Sequence, residues 1–260
     1  MASQMHKAAA VALLLNAIVT LGGTAPVTAQ KASDKPIQQW SKDEVNQLLT
    51  ESAWAKTQAI RVQRRSQPRS IAGEMPRDVL APKDELRGAA DPLDYRFTLR
   101  LHSALPIRQA LVRREQLKWN YDRKGVEERK AFDRQAKQLL LDCPICANYY
   151  VLSVGFSSKN SSGNDMIYKW FSATTLPSIK GYVYIANDRS ERRDLVDFIP
   201  PKVSGDDVYF IFPRLDEKGQ PLFIPTDKKL IFRMSDNNAN SITNFTLDIS
   251  RMVVSGRLEF

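Results

Sequence analysis

The chain has 260 residues, 43% of them apolar, and a formal net charge of +9 from 38 Lys and Arg against 29 Asp and Glu. That is apolar material enough for a sizeable core and too little charge bias for a disordered chain. Beyond residue 29 no apolar run reaches the roughly 18 residues that a membrane-spanning helix needs, so no span is expected downstream.

The first 29 residues have the layout of a secretory signal peptide. His6 and Lys7 form a short basic start, and an apolar run extends from Ala8 to Leu21, interrupted by Asn16 and Thr20. Gly22, Gly23 and Pro26 break the helix, and Val27 and Ala29 stand at −3 and −1 of a cut between Ala29 and Gln30. A retained membrane anchor is the alternative; the short apolar run and the cut site favour cleavage. The expectation is an exported protein, periplasmic or extracellular, starting at Gln30.

Residues 30–63 read as a leader followed by a helix. Ser41 and Glu44 fit a capping box, Val45, Leu48, Leu49 and Trp54 recur at helical spacing, and Trp40 is placed for a hydrophobic staple. Ala59, Ile60 and Val62 start a strand. Residues 64–94 are a linker or loop rich in Pro and Arg. From Tyr95 to His102 apolar and polar residues alternate, the mark of a half-buried strand. Pro106 opens a helix towards Trp119. A charged helix follows from about Val126 to Leu141, with Phe132, Ala136, Leu139 and Leu140 on its buried side.

A strand is expected at Tyr149 to Val154, a polar loop at Ser157 to Asp165 and a helical turn at Met166 to Phe171. From Gly181 the pattern is β throughout, with strands at 182–186, 195–199, 208–212, 230–234 and 245–249 and a hairpin turn at Asp216 to Gln220. Short strands between turn signals predict a mainly β fold: a β-sandwich-like domain over 95–260 with inserted or flanking α-helices at about 106–141, an α+β arrangement. The alternation of Met252, Val254, Leu258 and Phe260 also suits an outer-membrane barrel strand, a reading that the charged helices oppose.

The charge is uneven. Residues 56–137 hold 20 Lys and Arg against 11 Asp and Glu, whereas residues 138–260 hold 14 of each. The central stretch is either a solvated helical face with a basic loop or an anion-binding patch. Export and the lack of any recognised nucleic-acid motif argue against nucleic acid as a partner.

Cys143 and Cys146 are the two cysteines of the chain. In an oxidising compartment the default for such a pair is a short disulfide. A redox-active pair normally follows a strand and heads a helix; here the predicted helix comes first. A zinc site needs two further ligands, and His102 is the one His after the signal-like stretch. On the polar face of its strand, His102 reads as a structural histidine before a catalytic one. Asp236, Asn238 and Asn240 stand at alternate positions like the start of a calcium loop, but Ser241 and Leu247 occupy positions that need Gly and Glu. The carboxylate pairs Asp194 with Asp197 and Asp206 with Asp207 fall in predicted turns. Tyr182, Tyr184, Tyr209, Phe210 and Phe212 read as core. No GxSxG, Ser-x-x-Lys, HExxH, GxGxxG or GxxxxGK motif is present, so no cofactor is implied.

Several local patterns occur together: Trp40-Ser41 with Glu44-Val45, Leu48-Leu49, Ser52 and Trp54-Ala55; Cys143 and Cys146 before Tyr149-Tyr150-Val151; Pro213 with Gly219 and Pro221; and Met252-Val253 with Gly256, Leu258 and Glu259. The set resembles a group of uncharacterised exported bacterial proteins of similar length. The resemblance implies a bacterial cell-envelope setting and assigns no catalytic residue. The combined expectation is a binding or scaffolding protein of the envelope, partnered by another envelope protein or polymer. The alternatives are a thiol-disulfide or metal-dependent enzyme centred on Cys143 and Cys146, and a hydrolase using carboxylates.

Overall fold

A computed structural model describes residues 35–62, 93–159, 161–235, 241–254 and 256–260. The signal-like stretch with Ala29 and Gln30, most of the Pro-rich segment, and Asp236, Asn238 and Asn240 lie outside the described residues.

Helix α1 (Lys42–Thr50) starts where the capping box places it. The Glu44 N–H donates to the Ser41 hydroxyl at 3.2 Å, and the Ser41 N–H donates to Glu44 at 2.8 Å. Lys35 pairs with the same carboxylate at 2.5 Å. The Lys35 hydrogen bond, then that from the Ser41 N–H, holds the Glu44 carboxyl down at about 2. Val45, Leu48 and Leu49 face inward, and Trp40 is buried just ahead of the cap.

Strand β1 (Ala55–Val62) begins almost at once and pairs antiparallel with β2 (Leu93–Leu101). These join β3 (Tyr149–Ser158), β7 (Val208–Pro213) and β6 (Asp197–Ile199) in one antiparallel sheet ordered β1-β2-β3-β7-β6. A second sheet, ordered β5-β4-β8-β9, comprises β4 (Val183–Ala186), β5 (Arg192–Asp194), β8 (Lys229–Ser235) and β9 (Ser241–Asp248). A short hairpin, β10 (Val253–Val254) with β11 (Arg257–Leu258), turns at Gly256, whose φ of 77° suits glycine.

The two sheets share one aromatic core. Strand alternation turns Phe97, Leu99 and Leu101, Leu152 and Val154, and Val208, Phe210 and Phe212 to the inner side of the first sheet. Phe210 and Phe212 meet Phe232 of the second sheet at ring-centroid distances of 5.4 and 6.4 Å. Both sheets are open, and helices flank them, so the fold is α+β with facing antiparallel sheets.

Two expectations change in detail. Residues 195–199 do not form one strand: β5 belongs to the second sheet and β6 to the first, and buried Leu195 lies at the crossing. The polar stretch 157–165 is not all loop, because β3 runs to Ser158 and helix α4 spans Ser161–Ala173. Gly163 lets α4 approach the strand; a Cβ there would sit 2.6 Å from the Ser158 hydroxyl.

Helix α2 (Leu105–Lys118) carries Pro106 in its first turn, as expected, and leads to α3 (Val126–Ala136). Trp119 stacks on Phe132 at 5.3 Å, which fixes the pair as a hairpin. The α2 N-terminus has no cap of its own; Glu259 accepts from the Leu105 N–H at 2.9 Å. The Glu259 carbonyl also accepts from the Trp54 indole at 2.6 Å. A short helix, α5 (Leu176–Ile179), precedes β4. Among the described residues no helix is long and apolar enough to cross a membrane.

Phe210→Ala is expected to cost about 3–5 kcal/mol, read as a lower denaturant midpoint, because the ring sits between the sheets. The low Glu44 value has a pH signature. An unfolded Glu ionises near 4.5, so the stabilisation is complete above that pH and is lost as pH falls towards 2. Glu44→Gln should remove this part of the acid dependence in denaturation measured across that window.

Candidate functional site

The outer face of the first sheet holds the chemistry. Register places Arg100, Ser153 and Tyr209 in one row across β2, β3 and β7. The next row carries Val151 opposite Ile211, with His102 just past the end of β2. The Ser103 N–H donates to the Val151 carbonyl at 3.0 Å, which holds His102 beside that row.

Arg100 is buried and makes two bonds. Its Nε donates to the Leu49 carbonyl at 2.9 Å, and its Nη1 donates to Asp207 at 2.7 Å. The Ser153 hydroxyl donates to the same Asp207 oxygen at 2.9 Å. Gly155 makes room for this pairing: a Cβ would lie 2.8 Å from Asp207 and 2.9 Å from the Arg100 guanidinium. One buried arginine thereby ties the C-terminal end of α1 to the residue preceding β7.

A cleft of about 450 Å³ opens over the second row. Its floor includes His102, Val151, Tyr209 and Ile211; Ile199, Pro200 and Lys202 form one wall and Leu139, Leu140, Cys143 and Ile145 the other. That volume lies within the usual ligand-pocket range of roughly 300–1,000 Å³. The second wall begins as a π-helical turn, Lys137–Leu141, that continues α3. The turn changes which side chains face inward: Ala136 is buried, as expected, whereas Leu139 is 65% exposed and Leu140 partly so, both on the cleft. Phe132 is half-buried against Trp119.

Cys143 and Cys146 form a disulfide, with Cys146 buried and Cys143 on the cleft. Two arginines pin this wall. Arg108 donates to the carbonyls of Leu141 and Ser103. Arg214 donates to the carbonyls of Cys146 and Phe260, with its guanidinium 4.5 Å from the Tyr150 ring centre. Burial lowers the pKa of both arginines.

His102, Ser153 and Asp207 come into one neighbourhood, but they do not form a catalytic relay. Ser153 donates to Asp207 itself, and the His102 Nδ1 is buried without a hydrogen-bond partner. A relay needs the imidazole between the hydroxyl and the carboxylate. Burial, with Arg108 adding to it, pushes His102 down to about 4, so its ring is neutral at pH 7. It meets the Tyr209 ring edge-on at 5.2 Å.

The remaining carboxylates are occupied as well. Asp206 accepts from the N–H groups of Lys202 and Val203, Asp197 from that of Phe198, and Asp194 pairs with Arg192. Among the described residues no group of three His, Cys, Asp or Glu is placed to hold a metal ion. Tyr209 is not inner core: with Val208, Phe210 and Phe212 inward, alternation turns it to the cleft side. Arg100 and Arg108 carried no motif, and only the polar face of β2 hinted at the first.

No family model matches the chain, and no curated protein does. A solved structure from Burkholderia pseudomallei K96243, described as a novel protein of unknown function, is similar over 58% of this chain and 74% of its own, with 9% identity and a TM-score of 0.38. At that identity and score it transfers neither fold nor role.

His102 gives the site a pH signature. In the unfolded chain it protonates near 6.5 and in the folded protein near 4, so the unfolded state binds more protons between those values. Stability is expected to fall as pH drops through that window. His102→Phe should flatten the dependence there, and NMR titration of the native ring should find it neutral above pH 5.

Proposed function

We propose that this is an exported, non-catalytic binding protein of a bacterial envelope, whose ligand enters the cleft beside Cys143. The observation that carries the reading is the gathering of exposed apolar side chains: Leu139 at 65%, Ile145 at 44% and Ile199 at 43% exposure line this one cleft. Apolar surface left open around a concavity is the usual mark of a binding site. The engaged Ser153 and Asp207 and the sequestered His102 Nδ1 support binding over catalysis. Export rests on the signal-like stretch ending at Ala29, and the Cys143–Cys146 bond suits an oxidising compartment.

N-phenyl-1-naphthylamine, a neutral dye that brightens in apolar surroundings, is expected to bind saturably, with Leu139→Asp and Ile199→Asp each weakening it at least tenfold. Dye binding that ignores both substitutions would remove the cleft from the proposal. Export has its own check. In cell fractionation the protein should leave the cytoplasm, and N-terminal sequencing should begin at Gln30; a full-length cytoplasmic chain refutes that part.

The position of Cys143 on the cleft favours one second reading, thiol-disulfide exchange with a partner. Against it, the pair heads only the four-residue 3-10 turn Pro144–Ala147, which offers little stabilisation of a thiolate. Cys146→Ser leaves Cys143 free to hold a mixed disulfide. Binding alone predicts none in envelope extracts, and a defined covalent adduct would move the assignment to exchange.

A further inference from the structure

We propose that the cleft selects an uncharged amphiphile: an apolar body bearing one hydroxyl or carbonyl group, received by Tyr209 and His102. The proposal rests on the reading above that the cleft takes a ligand, and it names the class.

The apolar requirement follows from the walls. Leu139, Leu140 and Ile145 on one side and Ile199 and Pro200 on the other, above Ile211 on the floor, present hydrocarbon to the cavity. Covering them removes apolar surface from water, which favours binding in proportion to the area covered.

The neutral headgroup follows from how the charges are already used. Asp207 is taken by Arg100 and Ser153. Asp206 accepts two backbone N–H groups, from Lys202 and Val203. Among the described residues Lys202 is the one cation lining the cleft, and it stands in the same short loop as the Asp206 carboxylate. With Arg100 behind Asp207, positive and negative groups balance. An incoming anion meets two carboxylates beside Lys202, and an incoming cation meets carboxylates already engaged by Arg100, Ser153 and backbone N–H groups, so a charged headgroup of either sign is poorly repaid for its desolvation.

Two polar groups on the cleft are not so engaged. Among the described residues the Tyr209 hydroxyl has no hydrogen-bond partner, and neither has the His102 ring, whose Nδ1 is sealed off. That leaves Nε2 of a neutral imidazole and a phenol, in edge contact with each other, as the free donor and acceptor over an apolar floor. This pair matches a hydroxyl or carbonyl and offers nothing to an ion.

The test displaces bound N-phenyl-1-naphthylamine from the native protein at pH 7.5 with 1-octanol, 1-chlorooctane, octanoate and octylammonium. Octanol should displace the dye at a concentration at least tenfold below either ion. Tyr209→Phe removes only the hydroxyl from an outward-facing ring. With each affinity corrected for any change in dye binding, it should weaken octanol about 3- to 10-fold relative to chlorooctane, the worth of one hydrogen bond; His102→Asn should act in the same direction. If Tyr209→Phe leaves octanol unchanged, or either ion competes as well as octanol, the named class is wrong while dye binding still stands. If the native protein binds neither dye nor alcohol, the binding reading falls as well.

Discussion

The contact of Phe210 with Phe232 constrains everything built around it. Those rings join the two sheets, and β7 cannot turn Phe210 inward without also turning Val208 and Phe212 the same way. The odd residues, Tyr209 and Ile211, must then face outward from the middle of a sheet. Val151 is in the same position on β3. Central strands with apolar residues on both faces need a second cover. The π turn and the disulfide-bonded loop supply it only in part, and the uncovered remainder is the cleft.

Four buried or half-buried arginines donate to main-chain carbonyls, and two of them, Arg108 and Arg214, hold the cover in place. Arg100 reaches Leu49, Arg113 reaches Trp40, Arg108 reaches Leu141 and Arg214 reaches Cys146. Three of the four belong to the central stretch that carries the excess positive charge. Part of that excess is therefore spent inside the protein, joining helices and loops to strands, and is not offered to an anionic partner. A planar guanidinium suits the task because it stays charged when partly desolvated and presents several fixed donors.

The local grammar of the fold was legible from sequence: the Ser41–Glu44 cap, the alternation of β2, the Pro106 helix start and the core strand at 208–212 all follow from neighbouring residues. What escaped depended on distant ones. Polar composition hid α4, because Gly163 matters only once Ser158 is opposite it. Nothing local marks Leu195 as the point where the chain changes sheets. At the site, His102 and the Asp206–Asp207 pair were visible as candidates, whereas their setting was not. Whether Ser153 reaches Asp207 or His102 is a property of strand register, and Leu139 faces the cleft because of a π turn that helical periodicity does not anticipate.

The double use of Glu259 has a kinetic consequence. Its carbonyl closes on Trp54, 205 residues earlier, and its carboxylate caps α2, 154 residues earlier. Until residue 259 arrives, α2 lacks its cap and the Trp54 indole its acceptor. A chain with such remote closures pays for its longest loops before the final contacts reward it, and topology of this kind folds slowly.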